Sequence, residues 1–425
     1  MSSAAVAGTF TITPFILEGD AAPPTTALFQ TFDRPNISES GSVFFAGDTD
    51  GDTAEDDVVY LDLQLIAQQG MSAPSSGGGT FSAFEFFETG QQVNRTNDNV
   101  FIATLTDVAT TANRAVYKSN SVGALSLVAQ EGNVADGIAG RLYADFGFAG
   151  ITDDGRIGYL ADLDGATTDD SVMYLGGAIL FREGDAVPAS LGLPAGTIWG
   201  GNFDEIQYNG AGDVLFEGDT NLPTGDMVLV RRSDATGVST VVAQEGQAIA
   251  ARDGADTLEL ILQSAIAENG MWAYRGNLGI APSTADAFLM TESGFMAQQG
   301  DSVPELGASA VLGNLNGIDI NSLGDVIYLA DIDGADDPTN DEGIFANGML
   351  VVASGQQVPG LPAGTFFGDI GFEDMYINDN RELVFQAGYT GTISGDGLFK
   401  VVIPAAPTAG AMLAGLAFMG GRRRR

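Results

Sequence analysis

Three stretches of the chain gather aspartates around glycine: GDTDGDTAEDD (47–57), ADLDGATTDD (161–170) and ADIDGADDPTNDE (330–342). Loops of this kind can wrap a hard cation, because Ca2+ takes about six to eight oxygen ligands and glycine lets the backbone bend around it. The candidate ligands are Asp48, Asp50, Asp52, Asp162, Asp164, Asp331 and Asp333, with Ca2+ as the candidate cofactor. None of the three stretches completes an EF-hand, which needs a third ligand before the glycine and a distal glutamate in fixed register. The same residues are also ordinary formers of a solvated hairpin loop, and both readings stand.

A second chemistry needs carboxylates alone. A glycosidase works with one as general acid and another as nucleophile or base, and Asp204, Glu205, Glu373 and Asp374 fall on strands that would line a central channel. No further feature supports them, and acids on a chain this acidic fall at strand ends by chance. The stretch SSGGGT (75–80) has no strand–helix context and no lysine, so it reads as a loop and not a phosphate cradle.

Composition removes most other chemistry. The chain has no cysteine and no histidine, which excludes thiolate nucleophiles, disulfides, zinc–thiolate sites, imidazole ligands and a Ser-His-Asp triad. Its 425 residues include 17 basic and 56 acidic side chains, a formal net charge of −39. Such a surface repels phosphate backbones and anionic lipid headgroups, so nucleic acid is not an expected partner. With 44% hydrophobic residues the chain still has the material for a large core. Its 58 glycines and two lysines point to many tight turns in an all-β fold.

The elements that must position these groups repeat along the chain. SESGSVFF (38–45), RTNDNVFI (95–102), TDDGRIGY (152–159), NGAGDVLF (209–216), AENGMWAY (267–274), NSLGDVIY (321–328) and NDNRELVF (378–385) align on the pattern NxxGxVxF. The glycine-equivalent positions are Gly41, Asp98, Gly155, Gly212, Gly270, Gly324 and Arg381, separated by 54 to 58 residues. Each unit reads as four strands. An incoming strand meets a hairpin turn, in which Asn or Asp opens the turn and Gly takes the left-handed conformation. The returning strand, such as Val326 to Ala330, is apolar on both faces and must be covered on both sides. A short third strand and a fourth of LVAQEG type follow.

The seventh unit lacks its fourth strand, and PFILEGD (14–20), which matches ILFREGD (179–185), stands before any complete unit. A ring uses that split to protect its edges, and an open solenoid has no use for it. The expected fold is therefore an all-β, seven-bladed β-propeller of four-stranded blades over residues 9–403, closed by the N-terminal strand completing the last blade. A monomer is expected.

These repeats resemble a bacterial tandem-repeat family marked by NxxGxVAF motifs, whose members carry interchangeable C-terminal surface anchors. The resemblance spans roughly residues 10 to 403 and implies a secreted or cell-surface protein; it supplies no catalytic residues to carry over. Residues 404–425 add a second resemblance. A Pro/Ala segment with Pro404 and Pro407, an apolar stretch from Ala409 to Gly421, and Arg422, Arg423, Arg424 and Arg425 follow one another. This layout is similar to PEP-CTERM sorting signals, with Ala-Ala-Pro in place of Pro-Glu-Pro, and implies an exosortase-like processing enzyme as partner. Thirteen residues fall short of the roughly 20 of a stable span, and the arginines would stay on the cytoplasmic side, so membrane insertion is expected to be transient. Residues 1–8 have no basic region and no apolar run, and their small residues Ala4 to Gly8 are read as the remnant of a signal peptide or linker.

Two functions follow as expectations. One is a non-catalytic extracellular or cell-surface module that is structural or binds a ligand such as a polysaccharide or protein. The alternative is a carboxylate-dependent hydrolase of extracellular polysaccharide.

Overall fold

The computed structural model describes residues 10–85, 92–251, 254–279 and 282–405. Seven antiparallel sheets follow one another in chain order, and the chain closes into a seven-bladed β-propeller. Six sheets have four strands, as in the first blade (Asp33–Ile37, Val43–Asp48, Asp57–Leu61, Gln64–Gln68). The fifth blade departs from the expected count. A short strand, Ala248–Ala251, pairs with the start of the long inner strand Gly254–Ile266 and makes this sheet five-stranded. The inner strand there runs well past its turn-proximal segment, and the extra strand pairs with the extension, Ala248 with Thr257 and Ile249 with Asp256.

Each returning strand is buried on both faces because each seam between blades needs an apolar lining. Phe44 packs toward the second blade with Phe81 and Phe101, while Val43 and Phe45 pack toward the seventh with Val384 and Leu398. Seven hydrophobic clusters result among the described residues, one per seam. The ring closes as expected. Ile12–Leu17 pairs antiparallel with Gly395–Val402, with Ile12 opposite Val401 and Leu17 opposite Gly397, and Ile16 enters the seam between the seventh and first blades.

The repeated turns follow the NxxG chemistry with one correction. In the second unit the left-handed residue is Asn97 (φ 64°), not Asp98, so the turn opens at Asn94, whose carbonyl accepts the Asn97 N–H at 2.9 Å. Asparagine tolerates this conformation better than other non-glycine residues. The seventh unit places Arg381 there (φ 63°), beside Gly41, Gly155, Gly212, Gly270 and Gly324 in the others.

Candidate functional site

The turns ring one end of the axial channel, and their first residues tie blade to blade. Asn94 Nδ2 donates to the Thr152 carbonyl at 3.0 Å, Asn209 to Ala267 at 2.7 Å, Asn321 to Asn378 at 3.0 Å, and Asn378 to Ser38 at 2.9 Å. The Oδ1 of each accepts backbone N–H groups of its own turn, as Asn378 does from Asn380 and Glu382. Where the unit has Ser38, Thr152 or Ala267 instead, neighbours bridge the seam. Ser40 Oγ donates to Asn97 Oδ1 at 2.9 Å, Asp153 N–H to the Gly210 carbonyl at 2.8 Å, and Asn269 Nδ2 to the Ser322 carbonyl at 2.9 Å. All seven seams are thus bridged at this end.

The next turn position carries a ring of carboxylates: Glu39, Asp153, Glu268 and Asp379. Each accepts a backbone N–H from an adjacent blade. Asp379 N–H reaches both Glu39 oxygens at 3.2 Å, Arg95 reaches Asp153 at 3.0 Å, Gly210 reaches Glu268 at 2.7 Å, and Ser322 reaches Asp379 at 2.6 Å. One step deeper, Asp319 accepts from Ile320 and from Ile377 of the next blade, both at 2.8 Å. Glu39, Glu268, Asp319 and Asp379 line a cavity of about 60 Å³ together with Asn36, Gln207 and Tyr376, large enough for water but not for a metabolite. Burial pushes Glu268 and Asp319 up to about 7 and raises Glu39; the nearby Asp153 and Glu39 add to the rise at Glu268, and Arg95 opposes it. At about 7, Glu268 and Asp319 can exchange protons near neutrality.

Further along the inner strands from the turns lie the carboxylates expected there. Asp204 and Glu205 lie in Trp199–Tyr208, and Glu373 and Asp374 in Thr365–Ile377; the side chains of the latter two fall outside the described residues. Asp204 stands directly across from Glu217 in the register of the fourth blade. Burial, then the charges of Asp204 and Asp219, push Glu217 up to about 8. Glu205 sits at φ 50° where the strand register shifts, and its carbonyl accepts the Ser264 hydroxyl of the fifth blade. The structure therefore joins Asp204 not to Glu205 but to Glu217 and Asp219, which the sequence reading missed. A partial signal was there: Glu217 interrupts an apolar strand where four sister units carry Ala46, Ile102, Leu160 and Leu329, though two others carry Arg275 and Gln386.

The glycine-flanked aspartates serve their own hairpins. Asp48 accepts the Thr31 hydroxyl at 3.1 Å, Asp50 the Leu28 N–H at 2.6 Å, and Asp52 the Ala54 N–H at 3.2 Å. Asp164 accepts the Leu142 N–H at 2.7 Å and faces Arg141 at 3.5 Å; Asp331 accepts from Asn314 and Asn316. Burial raises Asp162, with Asp170 and Asp145 adding to it. Asp333 ends its strand opposite Val311. Among the described residues no three acidic side chains are grouped to hold a metal ion. Pro404 is exposed just beyond the last strand, and Pro407 and Arg422 to Arg425 lie outside the described residues. None of the described helices is long and apolar enough to cross a membrane.

The fold defines a β-propeller built from tandem repeats. Within that class the chain belongs to DUF7453, a family of unknown function, whose model matches residues 7–177 and again 178–400. No curated protein matches the chain. Among solved structures it is similar to a gluconolactonase from Xanthomonas campestris (11% identity, 94% of this chain and 99% of that one, TM-score 0.28). It is also similar to a puromycin hydrolase mutant (10% identity, 90% and 57%, TM-score 0.42) and to a Trypanosoma rangeli sialidase (8% identity, 97% and 62%, TM-score 0.32).

Proposed function

We propose that this propeller is a non-catalytic structural or ligand-binding module of the cell surface or extracellular space, delivered by its C-terminal exosortase-type signal. One observation carries the non-catalytic part. The raised carboxylates at the turn end, Glu39, Glu268 and Asp319, each hold a backbone N–H of an adjacent blade, so their chemistry is committed to keeping the ring closed. The location rests on the tail: an apolar stretch too short for a lasting span followed by four arginines. A transient insertion of this kind requires removal of the tail by a processing enzyme, leaving a chain that ends near Pro404 to Thr408. Mass spectrometry of the protein from its native host is the test. Absence of peptides containing Leu413 or Phe418, with the protein in the extracellular or surface fraction, is the expected result; recovery of the intact chain from the cytoplasm overturns the assignment.

The hydrolase reading keeps one observation in its favour. Burial and the charges of Asp204 and Asp219 push Glu217 up to about 8, and a raised carboxyl beside further carboxyls is the pairing that glycoside hydrolysis uses. Release of reducing ends from extracellular polysaccharide, abolished by Glu217→Gln, would decide for it.

A further inference from the structure

The seventh blade differs from its sisters at the end of the channel away from the turns. At the place in its second strand where the other blades carry Asp48, Thr104, Asp162, Asp219, Asn277 and Asp331, it has Gly388. The backbone does not demand glycine there. Gly388 has no left-handed φ, and a Cβ on it would come no nearer than 3.3 Å, to the movable Oδ1 of Asp396. A Cβ on Gly368 opposite would make only ordinary contacts, at 3.7 Å. The missing side chains open a bay of about 460 Å³, within the range of small-ligand pockets.

Carboxylate and amide side chains around this bay have no hydrogen-bond partner among the described residues. Asp396 stands where the first and sixth blades have Asp57 and Glu342. Those two carboxylates accept N–H groups of the next blade, Phe84 at 3.1 Å and Ile370 at 3.0 Å. The Asp396 carboxylate makes no such bond among the described residues, and the side chains of Asp369 and Gln386 beside it are likewise without one. Burial, then Glu18 and Asp369, hold Asp396 above the usual carboxylate range.

From the glycine-made space and this idle seam carboxylate we infer that the bay of the seventh blade binds a neutral saccharide unit. Asp369 and Asp396 would accept from sugar hydroxyls, Gln386 and Thr390 would both donate and accept, and the glycine floor lets a flat ring approach the backbone. Among the described residues no lysine or arginine lines the bay, so an anion has no counter-charge there. A bare metal ion would need more converging oxygens than the described residues supply. The inference deepens the binding-module reading and rests on it for what a bound glycan would be for.

Saturation-transfer difference NMR on the full chain, with cellobiose, maltose and N,N′-diacetylchitobiose as probes, tests it. At least one disaccharide should bind. Gly388→Thr, which installs the side chain the second blade already carries at this place, should leave the melting temperature unchanged and weaken binding more than about tenfold by filling the bay. Asp396→Asn should weaken it less. Failure of all three sugars, equal binding by the Gly388→Thr variant, or binding of Ca2+ or butylammonium in place of any sugar would overturn the site. Cleavage of a bound disaccharide would leave the site standing and remove the non-catalytic reading instead.

Discussion

An asparagine side chain offers a donor and an acceptor on one rigid plane, and the turn end of this ring uses both at once. Asn378 is the sharpest case, because its Nδ2 reaches Ser38 across the junction between the last and first blades while its Oδ1 holds the turn at Asn380 and Glu382. It is buried, so truncation leaves the Asn380 and Glu382 N–H groups without their acceptor and takes a donor from the Ser38 carbonyl, which keeps only its own turn's Gly41 N–H. Asn378→Ala should cost about 2–4 kcal/mol in urea unfolding. Asn380→Ala, at an exposed partner of Glu39, should cost under about 1 kcal/mol. Equal losses would show that the belt is not what fastens the junction. The glycine-flanked aspartates act at the same scale. Asp50 holds the Leu28 N–H, so Asp50→Ala should destabilise by about 1–2 kcal/mol, and melting curves in millimolar Ca2+ and in chelator should coincide. A rise in melting temperature with Ca2+ would restore the metal reading.

At the scale of elements, the first strand of the chain is the last strand of the ring. Without Ile12–Leu17 the strand Gly395–Val402 becomes an open edge, and Ile16 leaves the seam it shares with Phe45 and Tyr60. Deleting residues 1–22 should therefore lower the melting temperature by more than about 10 °C or abolish cooperative unfolding, followed by circular dichroism; an unchanged melt would mean the ring does not depend on this closure. The split blade was legible because strand chemistry repeats: PFILEGD and ILFREGD have the same apolar run and end. The turn at Asn94 was not, since Asn97 and Asp98 are both plausible turn residues and only backbone dihedrals separate them. The extra strand Ala248–Ala251 escaped because sister units make only an isolated bridge at this place, as Ser72 does with Thr80 and Ser302 with Val311, and the repeat pattern does not mark where such a bridge lengthens into a strand. The site was legible in part. Asp204 could be placed on the channel wall, but its partner Glu217 comes from the neighbouring strand. The bonds that occupy the turn-end carboxylates join residues about one repeat apart or, at Glu39, the last unit to the first, distances that sequence spacing alone does not convert into contact.

For the molecule as a whole, the decisive quantity is how many carboxylates the fold holds above their ordinary range. Burial comes first among the causes at Asp57, Glu268 and Asp319, each pushed up to about 7, and at Glu217, pushed up to about 8; neighbouring acids add to the rise at Asp57, Glu217 and Glu268. In the unfolded chain these groups titrate near 4, so between about pH 4 and pH 8 the folded state binds more protons than the unfolded one. Stability must then fall as pH rises through that window, being fully present below the unfolded values and lost as each group ionises in the ring. The formal charge of −39 acts in the same direction, since each ionisation adds to self-repulsion. The melting temperature should accordingly drop by about 5 °C or more from pH 5.5 to pH 8.5 at low salt, and added NaCl should recover part of the loss by screening the exposed charges. The paired variants Glu217→Gln and Glu268→Gln, which keep shape and an acceptor oxygen but cannot ionise, should flatten the profile above pH 7. Differential scanning calorimetry over this range decides the matter: a stability that rises with pH would mean that these carboxylates are ionised in the folded ring and better stabilised there than in water.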